Sequence, residues 1–422
     1  MPFKWNRRTF MGTLAAAAAW VAGGRAASAS LGNSASLAPK PTPAPPLTGF
    51  GASGNVYDEL GVTTLINAQG TMTMLGGSLP RPEVEAVMAI AGQHFVSIPE
   101  LEVAAGKRIA QMLKLPAGYT ALVTSGAAGA MQSGLAGILT GDNEKLIQQL
   151  PDLTGLKSEV IIQKSHRNPF DHQLRGTGCK LIEVESAADF HNAINSKTAM
   201  MHFTNFANDD GQIKVEEWIK LAKQASLPAM IDAAADTPPV SHLWDYANMG
   251  YDLITFSGGK AIRGPQCAGL LLGREELVRC ALLNNSPYED TLGRGQKVGK
   301  EEICGMVKAI ELYLNEDHDA LNREWQKRLD AVSQRLSKID GVSATNVQPG
   351  IANHVPTMQI TWDAAKVKIS ARELSDAVRH SKPAIALGRN EKGIEMNSFM
   401  LQPGEAEIVG DRLAEAFRAH LA

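Results

Sequence analysis

The residues with the plainest chemical potential in this 422-residue chain fall in the run Asp252-Leu-Ile-Thr-Phe-Ser257-Gly-Gly-Lys260-Ala-Ile-Arg263-Gly-Pro-Gln-Cys-Ala-Gly-Leu-Leu-Leu-Gly273. An apolar stretch delivers a serine, two glycines and a lysine, and a Gly-Pro turn leads at once into a second apolar stretch. Upstream, Leu227-Pro-Ala-Met-Ile-Asp232 is another apolar stretch that ends on a carboxylate. A lysine amine condenses with an aldehyde to give an imine, and a desolvated lysine near a cationic ring loses basicity and becomes a usable nucleophile and proton carrier. An acid closing the neighbouring strand keeps a pyridine nitrogen protonated, so that the ring accepts electrons. This is the geometry needed to hold pyridoxal 5'-phosphate. Lys260 reads as the Schiff-base lysine and general base, and Asp232 as the partner of the ring nitrogen. Asp232 has a second, compatible reading as a cap for the helix start near Thr237-Pro238-Pro239.

Phosphate needs its own seat. Ser125-Gly126-Ala127-Ala128 follows the apolar stretch Thr120–Thr124 and opens a run of small residues. A helix starting there aims free backbone N–H groups and its positive dipole end at one spot. Taken alone, small residues at a helix start are a close-packing device. Beside Lys260 and Asp232 in this order they read as a phosphate cup, to which Ser257 adds a hydroxyl. His166 and His172 have five residues between them. That matches no helical metal pair, and no metal site is expected.

Ser257-Gly-Gly-Lys260-Ala-Ile-Arg263-Gly-Pro-Gln resembles the lysine segment of fold-type-I pyridoxal-phosphate enzymes. More narrowly it resembles the group that contains bacterial selenocysteine synthase (L-seryl-tRNA(Sec) selenium transferase) and D-glucosaminate-6-phosphate ammonia-lyase. Ile66-Asn67-Ala68-Gln69-Gly70-Thr71, Leu101-Glu102 with Gly106 and Arg108, and Ile231-Asp232-Ala233-Ala234-Ala235 fit the same group. The resemblance runs over roughly residues 56 to 422. It implies a ring stacked on the cofactor at His166, just beyond a strand. It also implies an arginine on substrate anions, for which Arg263 and Arg389 are the candidates, and a homodimer or larger homo-oligomer.

The elements that must position these groups alternate. Apolar stretches at 120–124, 159–163, 179–184, 198–203, 229–232, 253–256 and 269–272 are separated mostly by helical patterns. Such spacing predicts an α/β fold with a mostly parallel seven-stranded sheet covered on both faces. The last two strands are joined too tightly for a right-handed crossover, so one of them runs antiparallel. A long helical stretch from about Lys300 to Leu336, broken near Asn315 to Asp319, leads to a small α+β C-terminal domain. There we expect a strand around Met358–Trp362, a helix capped by Ser370 and Glu373, a ribbon of Ala384–Leu387 with Gly393–Met396, and a last helix from Glu405. The domain reading is 56–295 for an N-terminal arm and the large cofactor-binding domain, and 296–422 for the connecting helix and small domain.

The first residues stand apart. Arg7-Arg8-Thr9-Phe10 precedes the apolar run Leu14–Ala22, and Ala27-Ser28-Ala29 follows as a small-residue cleavage site. The run is too short to span a bilayer, so 1–29 reads as a twin-arginine-type signal peptide rather than an anchor, and a periplasmic or exported location is expected. The Pro-rich residues 30–55 read as an extended tether. Without 1–29 the chain keeps 37 basic against 44 acidic side chains. That balance argues against a broad nucleic-acid surface, and so against a charged tRNA as substrate. Four cysteines show no zinc spacing and read mainly as buried thiols. The chemistry implied is Cα–H abstraction from an amino-acid-like or amino-sugar-acid substrate, with β-elimination or replacement. A racemase or aldolase, or an exported protein that only binds the cofactor, stays open.

Overall fold

The structure, a computed structural model, describes residues 48–347 and 349–422. The signal read at 1–29, and the tether as far as residue 47, lie outside the described residues.

Seven strands form the central sheet: β2 Tyr119–Ser125, β3 Glu159–Gln163, β4 Lys180–Val184, β5 Thr198–Thr204, β6 Ala229–Asp232, β7 Leu253–Ser257 and β8 Ala268–Arg274, in the order β2-β8-β7-β6-β5-β3-β4. All neighbours are parallel except β8, which is antiparallel to both β2 and β7. The tight connection through Lys260 therefore produces the reversed strand, as its length requires. Because β8 is flanked on both sides, β2 points the same way as β7. The C-terminal ends of β2, β5, β6 and β7 thus share one edge of the sheet, where ligands bind in open α/β folds.

Both faces of the sheet are dry, which is why its strands read as unbroken apolar runs. Val123, Ile161, Met201, Ile231 and Ile254 enter one core with Phe203, Trp218 and Phe256. Their chain neighbours Leu122, Val160, Met200, Met230 and Leu253 enter the other with Leu135 and Leu174. The alternation is the two-residue period of a strand. The helix Val215–Gln224 shows how its cover is written: Val215, Trp218, Ile219 and Ala222 are buried, one helical face, while Glu216 and Glu217 sit in the first turn. On the sheet edge, β2 is covered by the helix Ile98–Leu113. Glu102 accepts the Val123 N–H at 3.2 Å, and a Cβ on Gly106 would lie 2.0 Å from the Ala121 carbonyl oxygen. Only glycine permits this approach.

The long helical stretch is two helices, Lys300–Leu314 and His318–Leu336, broken where Asp317 caps the second by accepting the Ala320 N–H at 2.8 Å. The first buries Ile303, Met306 and Ile310 in the large core. The second buries Leu329, Val332 and Leu336 in a separate, smaller one. That smaller core lies against the antiparallel sheet β12-β13-β10-β9, made of β9 Val342–Val347, β10 Thr357–Trp362, β12 Gly388–Asn390 and β13 Gly393–Asn397. The expected ribbon is corrected here. Gly393–Asn397 pairs with Gly388–Asn390, whereas Ala384–Ala386 (β11) pairs in parallel with Leu65–Asn67 (β1) from the arm. Ile66 and Ala68 belong to the smaller core.

Candidate active site

At the sheet edge, β2 ends at Ser125 and the 15-residue helix Gly126–Thr140 begins without a side-chain cap. Gly126 has φ +69°, and a Cβ built on it would meet nothing within 4 Å. No side chain caps the first N–H groups of this turn, and Ser125 and Ala127 stand on either side of Gly126. Across the sheet, Ser125 is in register with Ala268, and Ser257 with Gly269. The two serines therefore flank β8, roughly two strand spacings or about 10 Å apart.

Asp232 ends β6 in register with Thr204 and Thr255 and is 5% exposed. One of its oxygens accepts the Ala234 N–H at 3.0 Å and the Thr255 hydroxyl at 3.4 Å. Its other oxygen has no hydrogen-bond partner among the described residues. Burial raises the carboxyl pKa, and the Ala234 N–H and the charge of Lys260 oppose the rise. Lys260 stands three residues beyond the end of β7, in a turn closed by the Arg263 N–H to the Lys260 carbonyl at 2.9 Å. Burial lowers its amine pKa, against the pull of Asp232 and Asp236. Its Nζ has no hydrogen-bond or ion-pair partner among the described residues. The lysine turn is held from outside by the arm: the Ser78 N–H donates to the Gly259 carbonyl at 2.9 Å, Arg263 Nε to Leu79 at 2.8 Å, and Arg81 Nη1 to Ile262 at 2.8 Å.

Asp236 was not singled out by sequence reasoning. It is 1% exposed and accepts from Asn205 Nδ2 at 2.7 Å and from the Tyr246 hydroxyl at 2.9 Å. Burial pushes its pKa up to about 7, with the two hydrogen bonds opposing and Asp232 adding to the rise. The sequence signal was available: a second aspartate four residues after the first, before Thr237-Pro238-Pro239.

His166 is 0% exposed, its Nδ1 accepts the Thr204 N–H at 3.2 Å, and its ring stands edge-on to Phe203 at 4.5 Å. Burial lowers its pKa to about 4. In this arrangement His166 ties β5 to the segment just beyond β3. Arg263 adopts φ 56°, in the left-handed region that side chains rarely take. It lines a cleft of about 110 Å³ together with Arg81, Glu316, Trp325, Arg328 and Phe399. Arg389 lies on the edge strand β12, exposed, and does not line that cleft. No cluster of potential metal ligands occurs among the described residues, and the four cysteines are unpaired, with Cys267 exposed.

The donor set fits pyridoxal 5'-phosphate: uncapped N–H groups with two hydroxyls for a dianion, a buried carboxylate with one oxygen uncommitted, and a largely buried amine, both without a partner there among the described residues. Residues 65–378 match the family model described as L-seryl-tRNA selenium transferase. The chain is 26% identical over 377 residues to a D-glucosaminate-6-phosphate ammonia lyase from Salmonella typhimurium, covering 86% of this chain and 97% of the relative. It is 27% identical over 382 residues to a 5'-C-glycyluridine monooxygenase-decarboxylase from a Streptomyces species, covering 86% and 92%. A solved D-glucosaminate-6-phosphate ammonia-lyase superposes with a TM-score of 0.74 at 24% identity, over 87% of this chain and 99% of that one. The fold is that of the fold-type-I enzymes.

Proposed function

Because this chain belongs to the L-seryl-tRNA selenium transferase family, we propose that it is a pyridoxal-phosphate-dependent lyase or transferase. In this reading it takes the α-proton from an amino-acid-like or amino-sugar-acid substrate and then expels or replaces a substituent on the β-carbon. The cofactor is pyridoxal 5'-phosphate. Ser125, Gly126, Ala127 and Ser257 would seat its phosphate, Asp232 its ring nitrogen, and Lys260 its carbonyl carbon. When bound there, it supplies an electron sink that acidifies the C–H bond beside an amine.

The observation that carries the reading is the largely buried amine of Lys260, without a hydrogen-bond partner among the described residues, within the electrostatic reach of Asp232 at the end of the neighbouring strand. Burial favours the neutral amine, so Nζ is available to take the substrate proton and later to return it. Asp232 is fixed by Ala234 and Thr255, so its uncommitted oxygen needs no reorganisation to hold a protonated nitrogen. The relatives are named for ammonia loss, selenium transfer and oxidative decarboxylation. The scaffold therefore does not choose the bond, and the residues around the substrate do.

A charged tRNA is not part of this reading, since acidic side chains number 44 against 41 basic. Export is part of it, on the strength of Arg7-Arg8 before an apolar run. No helix among the described residues is long and apolar enough to cross a membrane. A homo-oligomer is supported by exposed apolar side chains gathered in the arm and the helices after it, including Phe50, Leu60, Met74, Leu79, Ile90 and Phe95.

The test is to load the purified protein with cofactor, reduce it with borohydride and map the pyridoxyl adduct by mass spectrometry. Amino acids and amino-sugar acids are then screened for released ammonia or keto acid. The reading expects the adduct on Lys260 and no turnover in Lys260→Ala. An adduct elsewhere, or turnover that survives Lys260→Ala, would overturn it.

A further inference from the structure

The cleft beside the lysine turn is built from three parts of the chain. Leu79 and Arg81 come from the arm, Ala261 and Arg263 from the turn itself, and Trp325, Arg328 and Phe399 from the helix and loop that lead into the smaller core. Its charge is unbalanced. Arg81 is 8% exposed and spends its guanidinium on Glu316, through Nε at 2.9 Å, and on the Ile262 carbonyl at 2.8 Å. Arg263 gives only its Nε to the Leu79 carbonyl and has no carboxylate within 4.0 Å among the described residues. Burial and the neighbouring charge of Arg81 disfavour its charged form, and the more distant carboxylates Glu316 and Glu83 offset this only in part. Arg328 reaches Glu324 at 3.2 Å through Nε, and its Nη1 donates to the Leu401 carbonyl at 2.5 Å and the Ser398 carbonyl at 3.4 Å, which leaves Nη2 without a partner among the described residues.

A half-buried guanidinium without a counter-ion is costly unless an anion joins it. Arg263 is also held at φ 56°, a backbone state that costs of order 1 kcal/mol or more in a side-chain-bearing residue and that collects at ligand sites. The volume, about 110 Å³, is well above the roughly 10 to 15 Å³ that one water needs on the same measure, enough for one carboxylate or phosphate head.

We propose that this cleft is an oxyanion site in which Arg263 and Arg328 grip a carboxylate or phosphate group from opposite sides of the boundary between the two cores. The oxyanion belongs to the substrate, as a second anionic group remote from the reacting amine, or to a free anion. Assignment to the substrate rests on the function proposed above; the site itself does not. Because the grip joins the lysine turn to the smaller core, an occupant also draws these two parts together.

The test uses the cofactor-loaded protein, whose phosphate seat is already filled, and inorganic phosphate as probe in calorimetric titration. Saturable binding is expected, weakened tenfold or more in Arg263→Gln and in Arg328→Gln, restored in part by Arg263→Lys, and unchanged in Arg389→Gln. Cofactor absorbance and circular dichroism check that each variant is folded. Absent phosphate binding, or binding that both glutamine variants keep, would overturn the site.

A second arm compares serine with O-phosphoserine by the change each makes in the cofactor spectrum. Tighter binding of the phosphate ester, lost in Arg263→Gln, assigns the oxyanion to the substrate. Equal binding of the two assigns it to a free anion. If no amine perturbs the spectrum while phosphate still binds, the proposed function fails and the oxyanion site stands.

Discussion

Replacing Asp236 by asparagine should make the protein less sensitive to alkali. In the folded chain Asp236 holds its proton up to about pH 7, whereas an aspartate in an unfolded chain releases it near 3.9. Between these values the folded state binds a proton that the unfolded state has shed, so stability falls as pH rises through this window and levels off above it. The slope reaches about 1.4 kcal/mol per pH unit, and the loss from about pH 5 to about pH 8 is roughly 2 to 3 kcal/mol. Asparagine offers one oxygen to Asn205 and Tyr246, as the protonated acid does, and has no such proton to lose. The neighbouring titratable groups Asp232, Lys260 and Tyr246 are present in both proteins, so their contributions largely cancel in the difference. Urea unfolding of the cofactor-free proteins, followed by tryptophan fluorescence across that range, should show Asp236→Asn gaining on the wild type as pH rises. Parallel profiles would refute the argument that burial keeps this acid protonated.

Two glycines give sharper structural tests. Gly106→Ala places a Cβ 2.0 Å from the Ala121 carbonyl oxygen, so the helix must lift from β2; a loss of about 1 to 3 kcal/mol in thermal stability is expected, and an unchanged melting temperature would contradict the packing. Gly126→Ala meets no atom within 4 Å but sits at φ +69°, so it should cost only about 1 kcal/mol of backbone strain while weakening cofactor affinity in an absorbance titration.

The seven strands of the large sheet were legible because both faces are dry and the runs are apolar without interruption, as in Thr198–Thr204. The reversed strand was legible from loop length alone. Val342–Val347 was missed because it is an edge strand whose side chains are mostly exposed, which leaves no apolar run to find. Ala384–Ala386 was assigned the wrong partner because its true one, Leu65–Asn67, is far away in sequence, and periodicity reports only on what is near. At the site, strand ends and glycines mark Asp232, Lys260 and the Ser125 turn in the sequence, and the structure puts them at or just beyond the ends of β6, β7 and β2. The position of His166 beyond a strand does not say which way the ring turns, and its burial against Phe203 was not legible. Arg389 was placed by analogy with relatives, and its strand runs at the exposed margin of the small sheet.

The pairing of β1 with β11 acts as a clasp between a segment made early on the ribosome and one made near the end. Ile66 and Ala68 complete a core whose other members are supplied from Leu329 onward. A fragment that begins after the arm would thus lack part of its own interior and the hydrogen-bond ladder between β1 and β11. The native state can be closed only once nearly the whole polypeptide has emerged, and its assembly is correspondingly rich in long-range contacts and slow.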